Sequence, residues 1–385
     1  MSEDQIGVKQ YDQWMEDNGD AAALTMRQLL EPMEGKDAVI FPPTYLKPKS
    51  VKEEDWTGYN IDRFDDGTSV CQIDSVGSQA NRMEPLFKRK EYEHLVPQVV
   101  IDAGTCKVHL LDAGHRAADA IVLFSTLGPK LYEAFRAYQE NGNALLLAKI
   151  APTSIVFGSW DSRSTQAKLP RIVRSVIRAY DVKELRRSAQ YSTIAGKILA
   201  DDDVEVKAEG PNAELGLAHV PAVQTHGGVL VQGEIRREAI LNLSALRTLA
   251  GPPDIIEDTL KLRRYVFGLA LVSFTAPMEP CLREGCELVP DPKRAANWTL
   301  VKYDGTRVDL VVTHDEAIAF ATAAAASFGV TKSEAGSFDS SIAKEVLALE
   351  KADRKKLLRQ GPVTREAIEA LEKKGKNESK VDAKR

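Results

Sequence analysis

The sequence predicts an α+β fold, and three observations carry that reading. Segments of period-two alternation and segments of helical spacing are mixed along the chain, without the regular βαβ repeat of a doubly wound sheet. Hairpin signals recur at 99–111, at 228–243 and around Asp304-Gly305. The 385 residues, 43% apolar and 28% charged, have an ordinary globular composition, enough for two or three domains or for one core with large insertions.

Taken in order, residues 21–31 (AAALTMRQLLE) are expected as a helix. AVIF (38–41) is a short strand stopped by Pro42-Pro43. The polar, acid-rich stretch 46–68 is expected as a long loop, and SVCQI (69–73) as a strand. Ser75 is placed to cap a helix running to about Lys90, with Ala80, Met83 and Phe87 on its apolar side. VVID (99–102) and KVHLL (107–111) read as a hairpin, followed by helices near 115–124, 129–141 and 143–149. TSIVFGSW (153–160) is expected as a strand ending in a turn. The run 171–182 (RIVRSVIRAYDV) is a strand that carries Arg174 and Arg178 on one face. GVLVQGEIRREAILNL (228–243) is a strand pair, 255–275 an apolar helix, 298–312 a hairpin closed by Asp304-Gly305, and 315–328 an Ala-rich helix. Residues 1–330 are expected as the core with its insertions, and 331–385 as a charged helical tail. No internal repeat is present.

Charge is unevenly placed. The total is −5, which argues against a free, non-specific nucleic-acid binder but not against a basic stripe on an acidic body. Residues 1–70 hold 15 acids and 7 bases, whereas 163–187 hold 8 bases and 2 acids and 344–385 hold 13 bases and 8 acids. The most apolar run, YVFGLALVSFTA (265–276), suits a buried helix, since a membrane span needs roughly 20 residues. The start, MSEDQIGVKQ, has the features of neither a signal nor a transit peptide. Four cysteines are too few for a disulfide scaffold. A cytoplasmic protein with reduced thiols and no membrane association is expected.

The usual fingerprints of nucleotide-binding and hydrolytic sites are missing: no phosphate-binding Gly-rich loop with its Lys, no GxGxxG after a strand, no HExxH and no GxSxG. Cys281 and Cys286 lack the second pair that structural zinc wants. The six histidines are scattered; His226, in an expected loop before Gly227-Gly228, is a lone acid–base candidate, and His109 reads as half-buried. Asp102 and Asp112 read as solvated hairpin ends. No catalytic set, metal site or cofactor is expected.

Two polar segments stand out. CQIDSVGSQANRMEP (71–85) gathers Asp74, Ser75, Ser78, Gln79, Asn81 and Arg82 at a helix start, where free backbone N–H groups and the positive dipole end suit a phosphate. The alternative there is a capped helix with a polar outer face. FGSWDSRSTQAKLPRIVRSVIRAYDV (157–182) supplies Ser159 as a hydroxyl, Trp160 as a stacking surface, and Arg163, Lys168, Arg171, Arg174 and Arg178 as positive charge. Bases leading into a strand beside an aromatic are what a single-stranded nucleic-acid track needs. The alternative is a solvated sheet face with a buried Trp.

FPPTYL (41–46), CQIDSVGSQANRMEP (71–85), IVFGSWDSRS (155–164), KLPRIVRSVIRAYDV (168–182) and ILNLSALRTL (240–249), in this order and spacing, resemble the type I-G (formerly I-U) CRISPR-associated backbone subunit. This is the GSU-type "seven" subunit of Cascade, in the repeat-associated mysterious protein superfamily. The resemblance covers about 20–330, and IDSVGSQANR is its most specific part. It implies a modified RNA-recognition-motif core, ferredoxin-like βαββαβ, with large insertions including a β-hairpin thumb. It implies a non-catalytic RNA-binding subunit that polymerises along the crRNA spacer and presents it for pairing with target DNA in antiviral defence. The implied partners are crRNA, target DNA, further copies in a helical filament, and the large and RNA-processing Cascade subunits, with a helicase–nuclease recruited indirectly. Sequence would then be read by base pairing and the backbone by the protein. The expected RNA-binding residues are Ser75, Ser78, Gln79, Asn81, Arg82, Ser159, Trp160, Arg163, Lys168, Arg171, Arg174 and Arg178. The competing reading is a RAMP-type endoribonuclease using a loop Asp, with Asp74 or Asp161 as candidate. The acidic 1–70 region is expected away from the RNA or at a subunit boundary, because carboxylates repel phosphates.

Overall fold

The structure is a computed structural model that describes residues 9–52, 56–191, 214–217, 220–252, 255–330, 333–371 and 373. Strands β1 (Ala21–Pro32) and β2 (Val39–Ile40) lead through a long loop to β3 (Ile61–Arg63) and β4 (Ser69–Asp74). The helix Val76–Met83 follows and runs on as a 3₁₀ turn, Glu84–Lys88. The hairpin of β5 (Val99–Asp102) and β6 (Lys107–His109) precedes a helical block of Ala120–Leu123, Gly128–Asn141, Leu145–Ile150 and Pro152–Val156. Next come the two-residue strands β7 (Ser159–Trp160) and β8 (Lys168–Leu169), then β9 (Val173–Tyr180), β10 (Val182–Tyr191), β11 (Val220–Val231) and β12 (Ile235–Asn242). The helix Ile256–Thr275 leads to β13 (Cys281–Arg283), β14 (Cys286–Pro290), β15 (Asn297–Lys302) and β16 (Arg307–Asp309). After the helix His314–Phe328 come β17 (Glu334–Ser337) and the helices Ser340–Ala348 and Lys351–Gln360.

β1 runs through the centre of the main sheet. It pairs with β12 along one edge and with β14 and β15 along the other. β12 pairs with β9, β9 with β4 and β4 with β3, every pair antiparallel. Within this sheet β15, β1, β12 and β9 lie side by side. Helices separate β1 from β9, a hairpin joins β9 to β12, and Ile256–Thr275 separates β12 from β15. Those four strands have the connectivity and order of a ferredoxin-like βαββαβ unit, consistent with the expected α+β, RNA-recognition-like core. Inserted between β9 and β12 is an arm made of β10 and β11, which pair from Val182↔Val231 to Tyr191↔Val220. β2 joins the arm at its base, Val229↔Ile40. Residues 192–213, between β10 and β11 in the sequence, lie outside the described residues.

Alternation gives the main sheet two unlike faces. On β12, Ile235, Arg237, Ala239 and Leu241 are buried, and the residues between them are half-exposed. The buried face is covered by helices, chiefly Ile256–Thr275, whose Tyr265, Phe267 and Phe274 are fully buried. Gly268 lets the helix His314–Phe328 cross closely, since a Cβ there would lie 2.9 Å from the Cα of Ala321. The same long helix buries Arg263 and Arg264. Asp17 meets Arg263 at 2.7 Å, and Asp12 holds Arg264 through two bonds of 2.8 and 2.5 Å. Part of the N-terminal acidity therefore neutralises buried arginines inside the fold. Together with the central position of β1, this makes the described part of 1–70 integral to the fold.

Three further expectations are corrected. Residues 21–31 form a strand, because pairing on both edges in the middle of a sheet overrides the helix preference of Ala, Leu, Met and Gln. Residues 153–160 begin with the helix Pro152–Val156, which Pro152 starts in the first turn, where its missing N–H is harmless. The helix after Ser75 ends at Met83 and tightens to 3₁₀ before Lys90. The C-terminal region is helical as expected but also contributes β17, parallel to β5. Its helices bury Val346, Leu357, Val363, Ile368 and Leu371 in a small separate core. Among the described residues no helix is long and apolar enough to cross a membrane.

Candidate nucleic-acid interface

The uncovered face of the main sheet carries a groove of about 520 Å³. Cross-strand register builds it row by row. Arg174 stands opposite Ile240, Ile240 opposite Thr25, and Thr25 opposite Thr299. In the next row Arg27 stands between Glu238 and Asn297. Arg178 stands opposite Arg236, and Arg307, on the edge strand β16, opposite Val301. Four arginines from three strands (Arg27, Arg174, Arg178 and Arg307) thus line one open concavity. Glu238 sits among them, 3.2 Å from Arg27 and 3.4 Å from Arg178. Among the described residues neither Arg174 nor Arg307 has a carboxylate partner. Arg236 lies on the same face over the ring of Tyr180, at 4.1 Å, and pairs with Glu234 at 2.8 Å. The face presents fixed donors and positive charge with one aromatic, which suits a phosphate backbone better than a stack of bases.

The other expected basic residues lie elsewhere. Arg171, of opposite parity to Arg174, packs against the backbone at Gly158, and burial followed by the nearby Arg116 charge holds its pKa below the usual value. Lys168 and Trp160 face each other across β7 and β8, with the ammonium 5.7 Å from the ring centroid. Trp160 is 57% exposed, which departs from the reading of a buried Trp. Arg163 is exposed and donates to the Ala118 carbonyl at 3.2 Å. Ser159 is buried and its hydroxyl has no partner among the described residues.

The 75–82 segment is a capped helix start whose polar side chains are partly internal. Ser75 caps the helix by accepting from the Ser78 N–H at 3.2 Å, and both are half-exposed. Gln79 is 2% exposed. Its amide donates to Asp74 at 2.7 Å and accepts from the Ser175 hydroxyl at 2.8 Å. Arg82 donates to Asp74 at 3.0 Å and to the Leu282 carbonyl at 2.6 Å, which ties the helix to β13. Gln79 is therefore an internal strut rather than an outward-facing contact. Asn81 is exposed and accepts from Arg116 at 3.3 Å. Ser75, Ser78, Arg82 and Arg283 do share a second, smaller hollow of about 200 Å³.

Both carboxylates of the endoribonuclease reading are tied into their own loops. Asp74 is buried and accepts from Gln79 and Arg82. Asp161 is buried and accepts from the Ser164 and Thr165 N–H groups and the Thr165 hydroxyl. His226 lies in β11 rather than a loop, with its ring 5.5 Å from that of Tyr59. Burial pushes the thiols of Cys71 and Cys286 up to about 12, and Cys281 is exposed. Among the described residues no three His, Cys, Asp or Glu side chains are grouped to hold a metal ion.

Sequence reasoning found Arg174 and Arg178 through strand alternation and missed Arg27 and Arg307. Arg27 was hidden inside the expected helix. Arg307 stood in a recognised hairpin, but nothing local shows that β15 pairs with β1 and so brings β16 to the groove. A family model described as CRISPR-associated protein GSU0053 matches residues 24–184. The matched stretch runs from β1 to the first residues of β10 and includes the Val76–Met83 helix, the β7–β8 turn and all of β9. The match supports a CRISPR-associated family and with it a role in antiviral defence. No curated protein matches the chain.

Proposed function

We propose that this chain is a non-catalytic backbone subunit of a type I-G CRISPR effector of the Cascade kind. It binds crRNA along the open face of the main sheet, and several copies polymerise along the spacer and present it to target DNA. The large and RNA-processing subunits assemble with it, and a helicase–nuclease is recruited indirectly. The observation that carries this reading is the groove in which Arg27, Arg174, Arg178 and Arg307 converge from three strands on a sheet face that no described helix covers. The family match over β1 to β10 supports the CRISPR setting of that groove. The β10–β11 arm, inserted between two neighbouring strands of the core, is the element suited to act as the thumb that wedges into the guide. Trp160 beside Lys168 is suited to stack on an unpaired base, and the Ser75, Ser78 and Arg82 hollow to hold a phosphate. The carboxylates of the nuclease alternative are occupied by structural hydrogen bonds, which favours a binding role over cleavage by Asp74 or Asp161. Expression beside a CRISPR array, followed by purification and sequencing of bound RNA, tests the reading. Spacer-containing RNA of uniform length supports it. Bound RNA of random origin and length, or RNA cleavage lost in Asp74→Ala or Asp161→Ala, overturns it.

A further inference from the structure

The helix-covered face of the main sheet holds a charge that the fold does not answer. Arg237 alternates with Arg236 and Glu238 on β12, which turns it away from the groove, and it is 4% exposed. Its Nε donates to the Ser175 hydroxyl at 3.3 Å, and among the described residues no carboxylate pairs with it. The chain's other buried arginines are answered. Arg116 meets Glu84 at 2.7 Å, Arg263 meets Asp17, Arg264 meets Asp12, and Arg247 donates to the carbonyls of Trp14 and Ala21. A guanidinium removed from water with no opposing charge is unfavourable. Burial alone pulls its pKa down to about 10.

Arg237 opens on a cavity of about 160 Å³ that Gln79, Arg82, Arg89, Ser273 and Glu279 also line. Arg82 is committed to Asp74. Glu279 stays 3.9 Å from Arg89, and both are largely exposed at the side chain. Since a water's share of liquid volume is roughly 30 Å³, the space holds several waters or one tetrahedral anion with a partial water shell. We propose that this cavity binds a small oxyanion of the phosphate type, with Arg237 as its buried anchor and Arg89 on its exposed side. The site lies across the sheet from the arginine groove and does not depend on the RNA-binding reading.

The test is thermal unfolding of the full, RNA-free chain in increasing inorganic phosphate, with chloride holding ionic strength constant. Binding to the native state raises Tm by about 2 °C at ten times the dissociation constant, and above it the rise continues with the logarithm of phosphate concentration. Arg237→Met removes this rise. Ala276→Leu, which adds bulk to the cavity lining and leaves Arg237 in place, removes it too, and it carries the test should Arg237→Met not fold. Absence of this logarithmic rise in the unaltered chain overturns the proposal, as does a rise that persists in both variants. A Tm drop in Glu279→Gln together with no phosphate effect also overturns it, because Glu279 would then be the counter-charge.

Discussion

Replacing Arg174 and Arg307 together with alanine should flatten the salt dependence of RNA binding without unfolding the protein. These are the two groove arginines without a carboxylate partner among the described residues, while Arg27 and Arg178 share Glu238. Four guanidinium groups less one carboxylate leave about three phosphates to neutralise, and on single strands each contributes roughly 0.7 to the slope of log affinity against log salt. The expected slope is therefore about −2.1, an approximately 18-fold loss between about 50 and 200 mM salt. The double variant keeps about one contact, with a slope near −0.7 and a loss of roughly threefold. Glu238→Gln works in the opposite direction: it frees one more positive charge, binds tighter, and steepens the slope to about −2.8, roughly a 50-fold loss. The assay is fluorescence anisotropy on labelled single-stranded RNAs of several sequences, with Tm measured alongside. Lys168 and the arm add contacts common to all variants, so differences between slopes carry the test. Equal changes across RNA sequences are expected, because the groove addresses phosphates. An unchanged slope in the double variant, or weaker binding by Glu238→Gln, refutes the assignment.

Three other outcomes follow from the packing. Asp12→Ala leaves Arg264 buried without its paired acceptor and should cost about 3 kcal/mol, read from urea unfolding; a loss near zero would mean the N-terminal segment does not hold this contact in solution. Gln79→Ala strands the Ser175 hydroxyl and removes a donor from Asp74, so it should destabilise the chain by about 1–3 kcal/mol, whereas an exposed RNA contact would leave Tm unchanged. Asp291 is held at about 2 by the Lys293 backbone N–H, then by Arg294 and Lys36. Its folded value lies below the ordinary carboxylate range, so its contribution is present at neutral pH and lost as pH falls from about 4 to 2. Asp291→Asn should therefore shrink the loss of stability across that window, and an identical acid profile would show that the carboxylate does not contribute.

Much of the fold was legible wherever local chemistry and tertiary packing agree. Asp304-Gly305 turns the β15–β16 hairpin, Ser75 caps its helix, and the apolar run at 256–275 is the buried helix its composition requires. The sequence reading failed where the sheet imposes what local preference does not. Residues 21–31, rich in helix formers, become the central strand because partners on both edges satisfy their backbone groups. That one misreading also hid Arg27 from the candidate site. The arginines of β9 were readable because alternation within a single strand fixes their face. Their companions on β1 and β16 come from cross-strand register, which no local pattern encodes. Burial of Gln79 was equally invisible, since a polar helix start looks the same whether it faces water or Ser175. Charge totals misled for a related reason: Asp12 and Asp17 answer Arg264 and Arg263, which are remote in sequence.

The central claim, a subunit that polymerises along a guide, is tested most directly by native mass spectrometry of the protein on RNAs of increasing length. The account predicts a ladder in which each fixed increment of RNA admits one more copy, with RNA-free protein showing no comparable growth. A constant stoichiometry, one or two copies whatever the RNA length, would contradict it.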